Sequence, residues 1–207
     1  YPHWEAVVVN DGSTDQTAAI LTDYAARDAR IRPIHKENGG TVSALNTALE
    51  NARGEWICWL SSDDLFEPRK LQRHQEAIAA HPEFGFFYSG FYYLMEASGE
   101  KVAPDYVPPA DALRLLSFFE ANYIHGLSVC VRRDIFQEAG PFDNRYRYAH
   151  DVEMWFRILA RHSGHYIPER LSVSRVHPAQ VTENFPQAGH YDIARFTLEF
   201  LNQHALN

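Results

Sequence analysis

Two adjacent aspartates, Asp63 and Asp64, follow a strongly apolar stretch over residues 55–60. Adjacent carboxylates repel one another at neutral pH, so a site that keeps both usually holds them with a cation or with hydrogen-bond donors. The alternative is a solvated turn that leads into the next helix. The pair makes this loop the first candidate for a ligand site.

Two further acidic residues stand where a predicted strand ends or a predicted helix begins. Asp11 ends the β-branched run over residues 5–10, and Asp151 stands at the start of a helix predicted over residues 151–162. Each has an ordinary explanation by itself, as part of a turn or as a helix N-cap. In doubly wound sheets, ligands bind outside the carboxyl ends of the strands. We therefore predict that the three acidic loops meet in one pocket.

The elements that must position these residues alternate between strand and helix in the first half of the chain. Apolar runs of strand length are each followed by a turn cluster and then by a stretch with helical periodicity. This alternation predicts an α/β fold with a mostly parallel sheet. The predicted strands cover residues 5–10, 31–35 and 55–60, and the predicted helices end near residue 28, span 41–52 and begin at Pro68.

The second half is less regular. Its helix over residues 151–162 directs Val152, Phe156 and Leu159 to the core and allows an ion pair between Glu153 and Arg157. No repeat or linker interrupts the chain, which predicts a single domain over residues 1–207. The remaining predicted elements are strands over residues 84–96 and 127–131 and a helix over residues 110–120.

Composition narrows the class of protein. The chain has 207 residues, 45% of them hydrophobic, and a formal charge of −8 without any basic run, which argues against a nucleic-acid surface or a polybasic membrane patch. No apolar stretch approaches the length of a membrane span, so we expect a soluble chain. Cys58 and Cys130 lie in apolar, strand-like runs, where two buried free thiols are favoured over a disulfide.

Five segments, in this order and spacing, resemble the family 2 inverting glycosyltransferases with the GT-A fold. Each segment is weak evidence by itself, and the five together are strong. The resemblance implies a GT-A domain with its donor half in residues 1–100 and its acceptor half in residues 101–207. The segments are NDGSTDQT (10–17), NGGTVSALNTAL (38–49), GEWICWLSSDDLFEP (54–68), VCVRRDIFQEAGPFD (129–143) and HDVEMWFRIL (150–159).

The resemblance also implies a nucleoside-diphosphate sugar as donor. In such enzymes Asp11 corresponds to a carboxylate that accepts a hydrogen bond from the nucleobase, and Asn46 to an asparagine that lines the donor site. Asp63 is expected near the ribose and Asp64 on a divalent ion. Mg²⁺ or Mn²⁺ suits such a site, because these ions prefer oxygen ligands and take several of them from phosphates and water.

On the acceptor side, Asp151 is similar to the general base of the family. An inverting transfer needs a carboxylate opposite the leaving group to take the proton of the acceptor hydroxyl. His177 matches a histidine found after the base helix in many relatives and is expected to reach the metal or the diphosphate, although a structural role is equally open. Trp155, one helical turn after the base, is expected either to stack on an acceptor sugar or to lie in the core.

Departures from the family pattern qualify these expectations. Ser61 replaces the first aspartate of the DxDD motif, His150 stands where the family has glutamate, and Leu45 stands where an arginine often precedes the asparagine. The strand and helix that begin family members lie before residue 1. We therefore expect an N-terminally incomplete domain that binds its donor weakly.

Three functions remain open from the sequence. The favoured one is an inverting, non-processive glycosyltransferase that acts on a glycan or a lipid-linked acceptor in the cytoplasm, with peripheral association at the inner face of the membrane. The alternatives are a sugar-phosphate nucleotidyltransferase and a non-catalytic domain that binds nucleotide sugars. The helix that carries Asp151 favours the transferase, because nucleotidyl transfer needs no acceptor base of this kind.

Overall fold

A computed structural model of the chain describes residues 1–105, 124–178, 180 and 186–204. The helix predicted over residues 110–120 lies outside this part. The strands are β1 (Ala6–Asp11), β2 (Ile31–Lys36), β3 (Trp56–Ile57), β4 (Leu65–Phe66), β5 (Phe86–Met95), β6 (Glu100–Val102), β7 (Val129–Arg132) and β8 (Gly164–Val176). The helices are α1 (Thr17–Arg27), α2 (Thr41–Asn51), α3 (Lys70–Ala80), α4 (Arg133–Ala139), α5 (His150–Leu159) and α6 (Pro186–His204), with a 3₁₀ turn at Gly126–Ser128.

The first sheet joins β1 and β2 in parallel, with Ala6 opposite Ile31 and Asp11 opposite Lys36. Parallel pairing needs a crossover, and α1 provides it. The predicted elements of this segment are confirmed to within two residues. This sheet ends at Asp11, which places the first acidic loop at its carboxyl edge.

The second sheet is mixed. Its strand order is β3-β7-β5-β8-β4, with β6 paired to β5. The long strands β5 and β8 run parallel, whereas every other pair in this sheet is antiparallel within the described residues. The α/β class is confirmed, but the sheet is less parallel than predicted, because hydrophobic patterning does not encode strand direction. The hairpin from β5 to β6, for example, closes over a short turn and must be antiparallel.

Several boundaries differ from the sequence prediction. The strand expected over residues 55–60 shortens to β3, and the strand expected over residues 127–131 begins as the 3₁₀ turn at Gly126–Ser128. β8 and α6 are not predicted from the sequence. Residues 171–174 alternate between apolar and polar side chains, which is a strand signal, but Pro168 interrupts the longer pattern.

The main core lies between the second sheet and α5. Trp155 has no exposed surface and packs against Phe86, Phe136 and Phe142, with ring centroids 5.5–6.5 Å apart. The two cysteines are free thiols, as expected. None of the helices in the described part of the chain is both long and apolar enough to cross a membrane.

A buried polar group supports the other face of the sheet. Lys70 and His74, on α3, are 0% and 1% exposed. The Lys70 Nζ donates to the Ser128 carbonyl at 3.1 Å, and the His74 Nδ1 lies 2.9 Å from the Lys70 carbonyl. Burial, with a smaller contribution from the Lys70 charge, lowers the pKa of His74 to about 3. The fold therefore holds His74 as a neutral imidazole.

This pKa predicts sensitivity to acid. Because the folded-state pKa of His74 is below that of the unfolded chain, its contribution to stability is complete above about pH 6.5 and is lost as the pH falls towards 3. We expect the free energy of unfolding to fall by about 1.4 kcal/mol per pH unit within that window. Urea denaturation between about pH 7.5 and 4.5 measures this slope. His74→Gln should flatten it and His3→Gln, at the exposed N-terminus, should not; equal slopes in both variants would contradict the assignment.

Candidate active site

The acidic loop between β3 and β4 holds its two aspartates differently. Asp64 is only 9% exposed, and its Oδ1 accepts a hydrogen bond from the Arg175 backbone at 3.0 Å. Burial raises the pKa of the Asp64 carboxyl above its ordinary range, although the Arg175 hydrogen bond lowers it. Asp63 is more exposed, and its Oδ2 lies 3.1 Å from the His177 Nε2. Asp64 thus anchors the loop to β8, while Asp63 points a carboxylate to the surface.

His177 lies against Asp63 and not against Asp64, and the expectation that Asp64 and His177 hold a divalent ion stays a prediction. The two residues are 114 positions apart, and the end of β8 brings them together. Within the described ranges, no cluster of three or more His, Cys, Asp or Glu side chains is arranged to hold a metal ion. A carboxylate and an imidazole fit Mn²⁺ or Mg²⁺ only if substrate phosphates and water complete the shell.

Asp11 holds the glycine loop at the start of α2. Its carboxylate accepts hydrogen bonds from the Gly39 and Gly40 backbones at 3.0 and 2.7 Å and from the Lys36 Nζ at 2.7 Å. Burial opposes ionisation, but Lys36 and the two backbone donors outweigh it and lower the pKa of Asp11. The nucleobase contact stays a prediction, and in this structure both carboxylate oxygens bind the loop.

Asn46 clamps α2 to the loop that precedes α5. Its Nδ2 donates to the Phe142 carbonyl at 2.9 Å, and its Oδ1 accepts from the Phe142 backbone at 2.8 Å. It also lines a cavity of about 540 Å³ between α2, α5 and α6, together with Tyr146 and Phe196. The structure therefore shows Asn46 in a structural contact, and its role in donor binding stays a prediction.

Asp151 lies in the first turn of α5, where its Oδ1 accepts from the Val152 backbone at 2.8 Å. His125 faces it from the loop before β7. Burial lowers the pKa of His125, and the charge of Asp151 acts in the opposite direction. The sequence analysis does not single out His125, and among eleven histidines nothing in the sequence marks it.

Trp59 links the acidic loop to the start of α5. Its ring lies 5.6 Å from the His150 ring and 6.0 Å from that of Phe142. A Cβ on Gly126 would lie 2.8 Å from the Trp59 Cζ3, so only glycine leaves space for the indole there. Trp59 precedes Asp63 by four residues in the loop, and His150 immediately precedes Asp151. The ring contact therefore brings two of the predicted acidic loops next to each other.

Trp155 does not stand beside Asp151 as an acceptor-binding residue. It is fully buried, which is the core alternative of the sequence analysis. The position of Trp155, one helical turn after Asp151 on α5, faces the sheet. Phenylalanine side chains enclose its indole there.

Comparison with known proteins identifies the family. A family model described as glycosyl transferase family 2 matches residues 1–164. The chain belongs to this family. An uncharacterised glycosyltransferase of Rickettsia typhi is 36% identical over 187 residues, which cover 88% of this chain and 58% of the relative. TuaG of Bacillus subtilis, whose name proposes a role in teichuronic acid biosynthesis, is 37% identical over 169 residues, covering 78% of this chain and 62% of TuaG.

Solved structures confirm the GT-A fold. Residues 1–349 of S. aureus TarS superpose with a TM-score of 0.71 at 19% identity, covering 96% of this chain and 56% of that one. The mannosyltransferase PcManGT of Pyrobaculum calidifontis, solved with GDP-Man and Mn²⁺, superposes with a TM-score of 0.60 at 21% identity, covering 84% and 48%. The matched part of this chain spans between about a quarter and three fifths of the length of the first Rickettsia relatives.

The close approach of Gly126 to Trp59 is testable. Gly126→Ala should force the indole to move and lower the free energy of unfolding by about 1–3 kcal/mol, the usual range for overpacking. Urea denaturation measures the loss. Trp59→Phe, which removes the ring atoms that the new Cβ meets, should recover part of it in the double variant.

The matched control is Gly189→Ala, because a Cβ at this position in α6 makes only an ordinary contact, 3.6 Å from the Tyr148 carbonyl. Alanine in a helix should leave stability equal or raise it by about 0.5–1 kcal/mol. A Gly126→Ala variant as stable as this control would show that Trp59 is not confined as described.

Proposed function

We propose that this chain carries the catalytic site of an inverting glycosyltransferase, which moves a sugar from a nucleoside-diphosphate sugar to an acceptor hydroxyl. The observation that carries the proposal is the contact of Trp59, in the loop that leads to Asp63, with His150, which precedes Asp151, in a chain of this family. A single displacement requires the donor and the base to lie on either side of one reacting carbon, and this contact supports such an arrangement.

The donor is assigned to the face formed by the Asp63 loop and the glycine loop. Solved neighbours support a nucleotide sugar, since TarS has been determined with UDP-GlcNAc and PcManGT with GDP-Man and Mn²⁺. Asp63 and His177 would hold a divalent ion, and Asp64 orders their loop through Arg175. When bound, the ion stabilises negative charge on the departing diphosphate. Asp11 and Asn46 shape the donor side through the contacts that they make within the fold.

Asp151 is the proposed general base. It accepts the proton of the acceptor hydroxyl while that oxygen forms a bond to the anomeric carbon and the diphosphate leaves from the opposite face. The Val152 backbone N–H donates a hydrogen bond to one carboxylate oxygen of Asp151. The helix dipole favours the negative charge at this position. The charge of Asp151 acts on His125, whose pKa burial lowers.

The acceptor is assigned to residues 101–207 and the donor to residues 1–100. TuaG, whose name proposes a role in teichuronic acid biosynthesis, supports a role in polysaccharide synthesis. We assign a glycan or a lipid-linked molecule as the acceptor. We place the reaction in the cytoplasm, at the inner face of the membrane. Contacts with the acceptor are assigned to the loops around Asp151, because Trp155 is enclosed in the core.

A non-catalytic domain that binds nucleotide sugars is the second candidate. The observation in its favour is Ser61, which removes one carboxylate from the acidic motif of the family. Membership of glycosyl transferase family 2 argues against the nucleotidyltransferase alternative. The base variant below separates the enzyme from the binding domain.

Asp151→Asn tests the base. It should lower transfer or hydrolysis of a UDP- or GDP-sugar by about 10²–10⁴-fold, the usual contribution of a general base, and leave donor affinity within about twofold. Nucleotide release measures the rate, and calorimetry measures the affinity. Asp134→Asn, which removes a carboxylate on α4 that pairs with Arg132, is the control and should keep full activity. Equal turnover by Asp151→Asn and the unsubstituted protein would point to a different base.

Asp63→Asn and His177→Gln test the proposed ion. Each should raise the Mn²⁺ concentration needed for half-maximal donor binding by about tenfold or more, because each removes one of two protein ligands. Titration of the chelator-treated protein with Mn²⁺ in the presence of UDP, followed by thermal stability, measures this concentration. His162→Gln, which affects a pair with Glu138, should not change it. Donor binding by the unsubstituted protein that does not depend on the Mn²⁺ concentration would contradict the assignment.

A further inference from the structure

Arg147 reaches across the candidate site from the turn before α5. Its Nη2 lies 4.0 Å from the position that a Cβ of Gly40 would occupy, so the guanidinium stands over the glycine loop that Asp11 holds. Arg147 is exposed, and its guanidinium makes no hydrogen bond or ion pair with the part of the chain that the structure describes. It connects the donor-side loop and the base-side turn without neutralising a carboxylate on either.

The backbone around Arg147 is held firmly. Tyr146 is 2% exposed and its hydroxyl donates to Glu199 at 2.6 Å, while the Tyr148 backbone donates to the buried Asp192 at 2.9 Å. The Arg147 carbonyl itself lies 3.1 Å from the His150 Nδ1. The turn is therefore anchored to α6 and to the start of α5, and the charged side chain is presented from a fixed base.

Four other cations near these elements already have acidic partners. This matters because the chain carries a formal charge of −8, and a diphosphate at the glycine loop adds further negative charge beside Asp11. The paired cations are Lys36 with Asp11, Arg145 with Asp143 and Glu199, Arg157 with Glu153, and Arg175 with Glu96.

We propose that Arg147 is a donor-binding residue whose guanidinium binds the diphosphate of the nucleotide sugar. Arginine suits this role, because its planar guanidinium donates two parallel hydrogen bonds to phosphate oxygens. The assignment rests on the proposed function. A bound diphosphate then joins the Gly40 loop to the turn that leads to Asp151.

Binding of UDP and GDP, each with Mn²⁺, tests the proposal by calorimetry. For whichever nucleotide the unsubstituted protein binds, Arg147→Gln should raise Kd by about tenfold or more, the effect of losing a charge-assisted hydrogen bond. Arg147→Lys keeps the charge without the bidentate geometry and should give an intermediate Kd. The difference between variants should shrink as salt rises from about 0.05 to 0.5 M.

Arg161→Gln is the matched control. It removes the same charge from an exposed arginine just beyond the other end of α5, where the side chain contacts the Glu138 carbonyl, and Kd should stay within about twofold. The melting temperature of Arg147→Gln should equal that of the unsubstituted protein, since its guanidinium supports no internal contact within the described residues. If the melting temperature of Arg147→Gln falls, the Kd of Arg147→Lys is compared with that of the unsubstituted protein to test the proposal.

Two failures can be told apart. Unchanged nucleotide affinity in Arg147→Gln, with an unsubstituted protein that binds the nucleotide, would overturn the role of Arg147 and leave the glycosyltransferase proposal in place. An unsubstituted protein that binds neither nucleotide and turns over no nucleotide sugar would overturn the proposed function and this inference with it.

Discussion

The Trp59 ring is the contact on which the arrangement of the candidate site depends. It lies between the loop at Gly126 and the His150 ring, so one side chain sets the spacing between the acidic loop and α5. A large rigid aromatic group is suited to this task, because it has few rotamers and packs over a wide area. The absence of a Cβ at Gly126 is the complementary condition. Both hold the loop that leads to Asp63 against the start of the helix that carries Asp151.

A second constraint is electrostatic. Asp11 ends a strand of the first sheet, Asp63 and Asp64 lie in a loop of the second, and each carboxylate is held by a different kind of partner. Asp64 uses a backbone donor of β8, Asp63 uses His177, and Asp11 uses Lys36 with two loop amides. These partners allow the negative charges to coexist before any ligand arrives. They also leave Arg147 as a cation that is available to an anionic ligand.

The long strand β8 shows how the fold assembles these pairs. Its carboxyl end delivers the Arg175 backbone to Asp64 and, one residue beyond the strand, His177 to Asp63. β8 is parallel to β5 and antiparallel to β4, so the second sheet connects the acidic loop to a segment more than a hundred residues later. The mixed sheet is therefore part of the site and not only its support.

The sequence alone determined the class of fold, most helices and strands of the first half, and the acidic loops, because hydrophobic periodicity and turn residues are local signals. It also determined the family, through five segments in a characteristic order. Tertiary structure alone decided the partners: Asp63 with His177, Asn46 with Phe142, Trp155 in the core, and Arg147 over Gly40. These contacts join residues far apart in the chain, and their geometry depends on strand order and packing, which no local pattern of residue types encodes.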